Sequence, residues 1–449
     1  MKRRARPAVW PVVRQAVGRR PGLTGFLAGV AVTTAVAVLV ATVLPRINRP
    51  DDRREPGTLV ILSGTDDGSG GQRQALIDKW NALGNRPRAE IRSVAGGTDA
   101  VRNEMVAGAQ AGGRGIDIYN LDVTLMAEFV EFGYLRPLDE GRVDLAGFLE
   151  EPLDTCRRDG TLWALPFNTN AGLLYHRTDL LGGAEPPTSW PGVENAVERV
   201  FADPPTGVDS GSLVAGYTGQ FEDYEGLLVN VFEAIWAAGG DVVDDDNNVV
   251  IDTPEAWEGL IRLARGLKPG NPQMILPDSV RFKEDEATQA FGDGRVVFMR
   301  NWPVAYRRLG GGEAGKSAVP FGVSRLPGDS VLGGQNLAVA AGSDQPVAAQ
   351  ELIEYLTDPL SQQLLFERGG FAATREIVYH DQEIKKTYGY ANTLLAAIGQ
   401  TRTRPDTPYY AQFSRTFRAG VLAALANDGR LPPGFADRLT DALRGVQRD

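Results

Sequence analysis

The sequence predicts an α/β protein built as two lobes, and three observations carry that expectation. Strand-like and helix-like segments alternate over residues 58–121, which indicates a parallel sheet covered by helices. About 400 residues follow an N-terminal apolar run, more than one ordinary core holds and enough for two. Three later segments, residues 162–175, 296–303 and 333–340, join strand character to polar or aromatic groups and read as hinge strands between lobes.

The chain begins with a basic stretch, Lys2, Arg3, Arg4, Arg6, Arg14, Arg19 and Arg20, followed by 22 uncharged and mostly apolar residues from Leu23 to Leu44. A bilayer-spanning helix takes about 20 residues. The positive flank orients such a helix with residues 1–22 in the cytoplasm and everything after the linker 45–56 outside the cell. The expectation is a single-pass anchor in the cell membrane with the remainder extracellular, or a long signal whose removal releases it. Signal peptides have a shorter apolar core of roughly 7–15 residues. Cys156, the single cysteine, lies far downstream, which excludes lipid anchoring at a cysteine after the run.

Thr58 to Leu62 reads as a buried strand that enters the loop Ser63 to Gly71 before a helix begins near Gln72, with Leu76, Trp80 and Leu83 on one face. The order repeats as strand Ala89 to Val94, loop Gly96-Gly97-Thr98, helix Asp99 to Ala111 and strand Ile116 to Leu121. Ligands of such sheets bind outside the carboxyl ends of strands, which places Gly64, Thr65, Asp66, Gly96, Gly97, Asn120 and Asp122 at a ligand-facing edge. The glycine-rich loop lacks the Gly-Lys-Ser/Thr ending of a phosphate loop and the spacing of a dinucleotide fingerprint, so it reads as a strand-to-helix turn. Asn168 and Asn170 lie between two apolar segments and are placed to face a gap between lobes. A helical stretch follows Asp223-Tyr224-Glu225 and stops at Gly239-Gly240; the acidic run Asp241 to Asp246 lacks the glycine and terminal glutamate of a calcium loop. From Glu286 a helix leads through Gly292-Asp293-Gly294 into the strand Val296 to Met299, and from Pro346 onward the pattern is helical.

The first fifty residues hold nine Lys or Arg and no acids, so the totals of 47 basic and 57 acidic residues leave 38 against 57, a net of −19, for residues 51–449. Such a surface repels nucleic acid and anionic lipid. One cysteine allows no internal disulfide or thiolate zinc cluster, and two histidines, His176 and His380, make a histidine-based triad or zinc site hard to build. Both histidines read as surface or cleft-edge residues. No cofactor or metal is called for.

Several segments, in order, resemble an extracellular solute-binding protein of an ABC sugar importer, most closely the trehalose/maltose-binding branch. They are the helix Arg73 to Asn81, then Tyr119-Asn120-Leu121-Asp122, Tyr134 to Leu138, Pro166 to Tyr175, Phe291 to Pro303, Gly333-Gly334-Gln335-Asn336 and Thr374-Arg375. The resemblance covers most of residues 57–449 and implies a two-lobed type II periplasmic-binding-protein fold, each lobe a sheet flanked by helices, closing on a sugar. It implies lobe 1 over 57–170 plus 300–337 and lobe 2 over 171–299 plus 338–449. It also implies ligand contacts from Thr65, Asp66, Asp122, Asn168, Asn170, Trp236, Trp302, Gly333, Gly334, Gln335 and Arg375. Asp122 and Arg375 would bind hydroxyls through charge-assisted bonds, the amides through neutral ones, and the tryptophans would lie against sugar rings. The implied partners are a neutral sugar, the permease subunits of the importer and, through them, its ATPase. A membrane-anchored ligand sensor and a glycoside hydrolase are the competing readings; the hydrolase needs two carboxyl groups roughly 5–9.5 Å apart, and nothing in the sequence marks such a pair.

Overall fold

A computed structural model describes residues 57–66, 68, 70–205, 211–310 and 319–446. The apolar run 23–44, its basic flank and the linker to residue 56 lie outside them, and among the described residues no helix is long and apolar enough to cross a membrane. The architecture is two lobes, each with its own sheet, as the family resemblance implies.

Ten strands build the two sheets: β1 (Thr58–Gly64), β2 (Arg88–Val94), β3 (Ile118–Asp122), β4 (Leu135–Arg136), β5 (Ala164–Asn170), β6 (Leu173–Arg177), β7 (Ala215–Thr218), β8 (Val296–Asn301), β9 (Phe321–Arg325) and β10 (Gly333–Ala340). The first sheet has six strands in the order β2-β1-β3-β10, with β10 then pairing β5 along its start and β4 at its end. β1 runs parallel to β2 and β3, whereas β10 runs antiparallel to β3 and β5. That reversal brings the beginning of β10 to the edge where β1, β3 and β5 end. Gln335 stands opposite Asp122, and Gly333 opposite Asn170. The second sheet is β9-β6-β8-β7.

The helices that matter to the cleft are α1 (Gln72–Ala82), α2 (Thr98–Gln110), α3 (Glu225–Trp236), α4 (Glu284–Gly292), α5 (Pro346–Leu356), α6 (Pro359–Gly369), α7 (Tyr410–Ala426) and α8 (Phe435–Leu443). Apolar positions three and four apart decide which face each buries. Leu76, Ile77 and Trp80 of α1 join Leu352 and Ile353 of α5 and Leu364 and Leu365 of α6 in the first core. Phe232 of α3, Phe413 and Phe417 of α7 and Leu439 of α8 fill the second.

Two expectations of chain partition are corrected by the pairing. Residues 296–303 and 321–325 sit in the second sheet, and β10 with α5 and α6 belongs to the first, so the division drawn at 300 and 338 does not follow the sheets. Of the three segments read as hinges, residues 162–175 alone cross, with Ala171 and Gly172 joining β5 to β6. The chain returns through Leu326 to Leu332, where Ser330 and Val331 pair with Thr401 and Arg402. Strand character follows from local sequence, but the partner is set by register with distant residues, which periodicity does not encode.

One histidine also differs from expectation. His380 is exposed beside Glu376, whereas His176 is buried in the middle of the second sheet and burial pushes its imidazole below the ordinary 6.5.

Candidate ligand cleft

The carboxyl ends of the first sheet's strands form one wall of a cleft of about 610 Å³, and the second lobe forms the other. Gly64, Thr65, Asn120, Asp122, Asn170, Gly333, Gly334 and Gln335 contribute from the first sheet. β10 lies tight against β5 here. Gly334 has φ +133°, and a Cβ on it would come within 2.3 Å of the Asn168 carbonyl oxygen, so only glycine fits. Asp122 Oδ1 is occupied by the Thr124 amide at 3.0 Å and its hydroxyl at 2.7 Å, which fixes the carboxylate at the end of β3.

Beneath this floor several amides are buried without satisfying their polar atoms. Asn120 donates to Ser63 Oγ at 2.9 Å, but its Oδ1, the Gln335 Oε1 and both polar atoms of Asn168 find no hydrogen-bond partner among the described residues. A buried polar atom left unpaired costs about 1–3 kcal/mol. These atoms lie behind the cleft surface, and the amides of Asn170 and Gln335 are among those that line it.

The opposite wall carries aromatic and acidic groups. Trp302 follows the end of β8 and lines the cleft with its indole N–H 3.3 Å from Glu284 Oε1. The guanidinium of Arg300 lies 3.7 Å from the centroid of the Trp302 ring and is itself 1 % exposed. Glu233 grips Arg300 through two bonds, at 2.8 Å to Nε and 2.7 Å to Nη2, and accepts a third from the Val331 amide at 3.1 Å in the crossing segment. The cleft tryptophan, the buried ion pair and one interlobe connection are therefore a single packed unit. Tyr224 and Glu225 line the cleft at the start of α3, and burial with the neighbouring Glu284 carboxylate pushes the Tyr224 phenol well up.

Sequence reasoning missed Arg404. Its side chain is 3 % exposed and donates to Glu225 Oε1 at 2.7 Å, and its other nitrogen stands 3.5 Å from Asp122 Oδ1 on the first lobe. Burial disfavours its charge, but Tyr410, Asp122 and Glu225 around it outweigh that and hold it protonated. Glu225 in turn accepts from the Tyr410 hydroxyl and, at 2.8 Å, from Ser414 Oγ. An aromatic and an acid immediately before an apolar helix was the available signal for Tyr224 and Glu225; nothing local marks Arg404.

Of the residues implied as ligand contacts, Thr65, Asp122, Asn170, Trp302, Gly333, Gly334 and Gln335 are brought together in the cleft. Four are placed elsewhere. Asp66 is turned into its own loop, accepting from the Gly68 amide at 3.1 Å and from Gln72 Nε2 at 2.6 Å. Asn168 lies under the floor, 2 % exposed. Trp236 packs edge-on to Phe232 in the second core, under the Arg402 guanidinium and with its N–H on Asp241. Arg375 is a structural staple: it donates to the carbonyls of Thr357, Ala146 and Asp144 at 2.9, 2.7 and 3.2 Å while stacking 3.4 Å from the Phe148 ring centroid. Among the described residues no cluster of His, Cys, Asp or Glu is arranged to hold a metal.

A two-lobed molecule with a polar floor facing an aromatic wall is the geometry of a protein that captures a solute, and comparison with known proteins agrees. The chain is 31% identical over 289 residues to a "Probable ABC transporter-binding protein" of Deinococcus radiodurans, spanning 62% of this chain and 67% of that one. It is 26% identical over 268 residues to the sn-glycerol-3-phosphate-binding periplasmic protein UgpB of Brucella abortus, of which it spans 57%, and which it matches over 55% of its own length. Among solved structures, maltose-bound MalE3 of T. maritima superposes with a TM-score of 0.77 at 26% identity, covering 87% of this chain and 100% of the other. The model of the bacterial extracellular solute-binding protein family matches residues 75–441, so the chain belongs to that family, whose members bind solutes rather than transform them.

Proposed function

We propose that this protein is the substrate-binding component of an ABC importer and that its cleft captures a neutral sugar of about disaccharide size, such as trehalose or maltose, for delivery to a membrane permease. The observation that supports it best is the polar floor of Asp122, Asn170 and Gln335 with Trp302 on the opposite wall of the same cleft. Amides and a fixed carboxylate match hydroxyls, and an indole face matches the C–H face of a pyranose. Charge argues against a phosphate-bearing ligand. Each cation lining the cleft already has an acid: Arg404 has Glu225, Arg308 has Asp285, Lys283 has Glu222 and Arg73 has Asp66. The ligand contacts assigned on this reading are Thr65, Asp122, Asn170, Trp302, Gly333, Gly334 and Gln335, with Arg404 and Tyr224 added from the structure. The segment 23–44 serves as the membrane anchor on the same reading, in the bilayer that holds the permease.

Calorimetric titration with trehalose, maltose, longer maltodextrins and sn-glycerol 3-phosphate tests the reading. Saturable binding of one neutral sugar, recovered chemically unchanged, is expected; binding of the phosphate ester alone would overturn it. Membrane fractionation tests the anchor: full-length protein sediments with membranes, and a shortened, soluble form would replace the anchor with a cleaved signal.

A further inference from the structure

Two arginines of the C-terminal segment each stand between a carboxylate of one lobe and a carboxylate of the other. Arg418, on α7 in the second lobe, donates to Asp223 of its own lobe at 2.9 Å to Oδ1 and 3.1 Å to the carbonyl, and reaches Asp99 on α2 of the first lobe at 3.3 Å. Arg404 holds Glu225 of the second lobe at 2.7 Å and faces Asp122 of the first at 3.5 Å. In both cases the shorter contact is within the second lobe. Both arginines are nearly buried, 8 % and 3 % exposed, so their rotamers are set by packing, not by the partner across the cleft.

We propose that Arg418 and Arg404 form an interlobe clasp that maintains a closed population before any ligand arrives. On opening, each arginine stays with its own lobe and releases Asp99 or Asp122. The clasp acts twice. It supplies attraction across the cleft, and it masks two like-charge pairs, Asp99 with Asp223 and Asp122 with Glu225, that would otherwise drive the lobes apart. Asp99 and Asp223 are 62 % and 61 % exposed, so the outer bridge is solvent-screened and worth about a two- to five-fold change in the open-to-closed ratio. Salt weakens it, because the screening length falls from about 8 Å at 0.15 M to about 3 Å at 1 M. Acting before ligand arrives, the clasp does not depend on the identity of the sugar.

The test is a spin-label distance measurement between the lobes of the full-length chain without sugar. Glu104→Cys on α2 and Asp437→Cys on α8 supply labelling sites, and the native Cys156 is 0 % exposed and stays unlabelled. At low salt the closed distance is expected to be well populated in the parent. Arg418→Gln and Asp99→Asn should each shift the ratio two- to five-fold toward the open distance, and 1 M salt should do the same to the parent while adding little to Arg418→Gln. Asp223→Asn should leave the closed distance populated, because the Asp223 carbonyl still anchors Arg418. Equal distance distributions for the parent and Asp99→Asn at low salt, or opening by Asp223→Asn as large as by Asp99→Asn, would overturn the clasp. Asp99 is exposed, so its variant carries the test even where Arg418→Gln lowers expression.

Discussion

Replacing Arg300 by leucine isolates the buried unit beneath the cleft tryptophan. Arg300 and Glu233 have side chains 1 % and 5 % exposed, so the substitution leaves a carboxylate in the interior with only the Val331 amide to bind it. Breaking a buried pair from one side costs about 3–5 kcal/mol. Unfolding entropy of about 2.1 cal/mol/K per residue, over roughly 400 folded residues, gives about 0.8 kcal/mol/K, so Tm should fall by about 4–6 °C. Differential scanning calorimetry of Arg300→Leu, Glu233→Leu and the double variant makes the reasoning explicit. The double variant should recover part of the loss, because it removes the charge that the single variant strands, although it also leaves the Val331 amide without its acceptor. An Arg300→Leu protein melting within 1 °C of its parent would refute the claim that this pair supports the Trp302 wall.

Trp302→Ala should weaken sugar binding at least about tenfold, equivalent to about 1.4 kcal/mol, with the fold retained by circular dichroism. Arg375→Ala should do the reverse, lowering stability by about 2–4 kcal/mol in urea titration while changing Kd less than threefold, since its three charge-assisted bonds all end on backbone carbonyls. His176, held neutral by burial, titrates at its ordinary 6.5 only once unfolded, so the unfolded chain binds more protons just below that pH. Stability should therefore decline as pH falls from about 6.5 toward the lowered folded value, and a His176→Leu variant should lose that slope, as read by urea midpoints at pH 7 and pH 5.5.

Much of the first sheet was legible because its strands and helices alternate locally: β1, α1, β2, α2 and β3 fall within a few residues of their expected bounds. The cleft edge followed from the rule for carboxyl ends of strands, which put Thr65 and Asp122 at the edge where the structure has its cleft. What failed was long-range. β10 looks like a crossing strand because its polar start and apolar end suit a hinge, and only pairing with Asp122 and Asn170 shows that it completes the first sheet. Trp236 and Trp302 are chemically alike, but one ends a helix buried from Gly226 onward and the other follows a strand into a Pro turn, and burial separated them accordingly. Arg375 and Arg404 exchanged roles: the charge expected in the cleft staples a loop, and the one in the cleft has its partners far off in the chain.

The position of β10 has a consequence for how the molecule comes to be made. Its hydrogen-bond partners are β3, β4 and β5, yet the whole of the second sheet lies between β5 and β10 in the chain. The first lobe therefore cannot close its sheet as it leaves the ribosome, although its opening strand starts at Thr58. Long-range pairing of this kind folds slowly, because loop closure must precede the contacts that reward it. A nascent chain with its first sheet unfinished until residue 340 stays open enough to thread through a translocation pore, which suits a member of an extracellular solute-binding family.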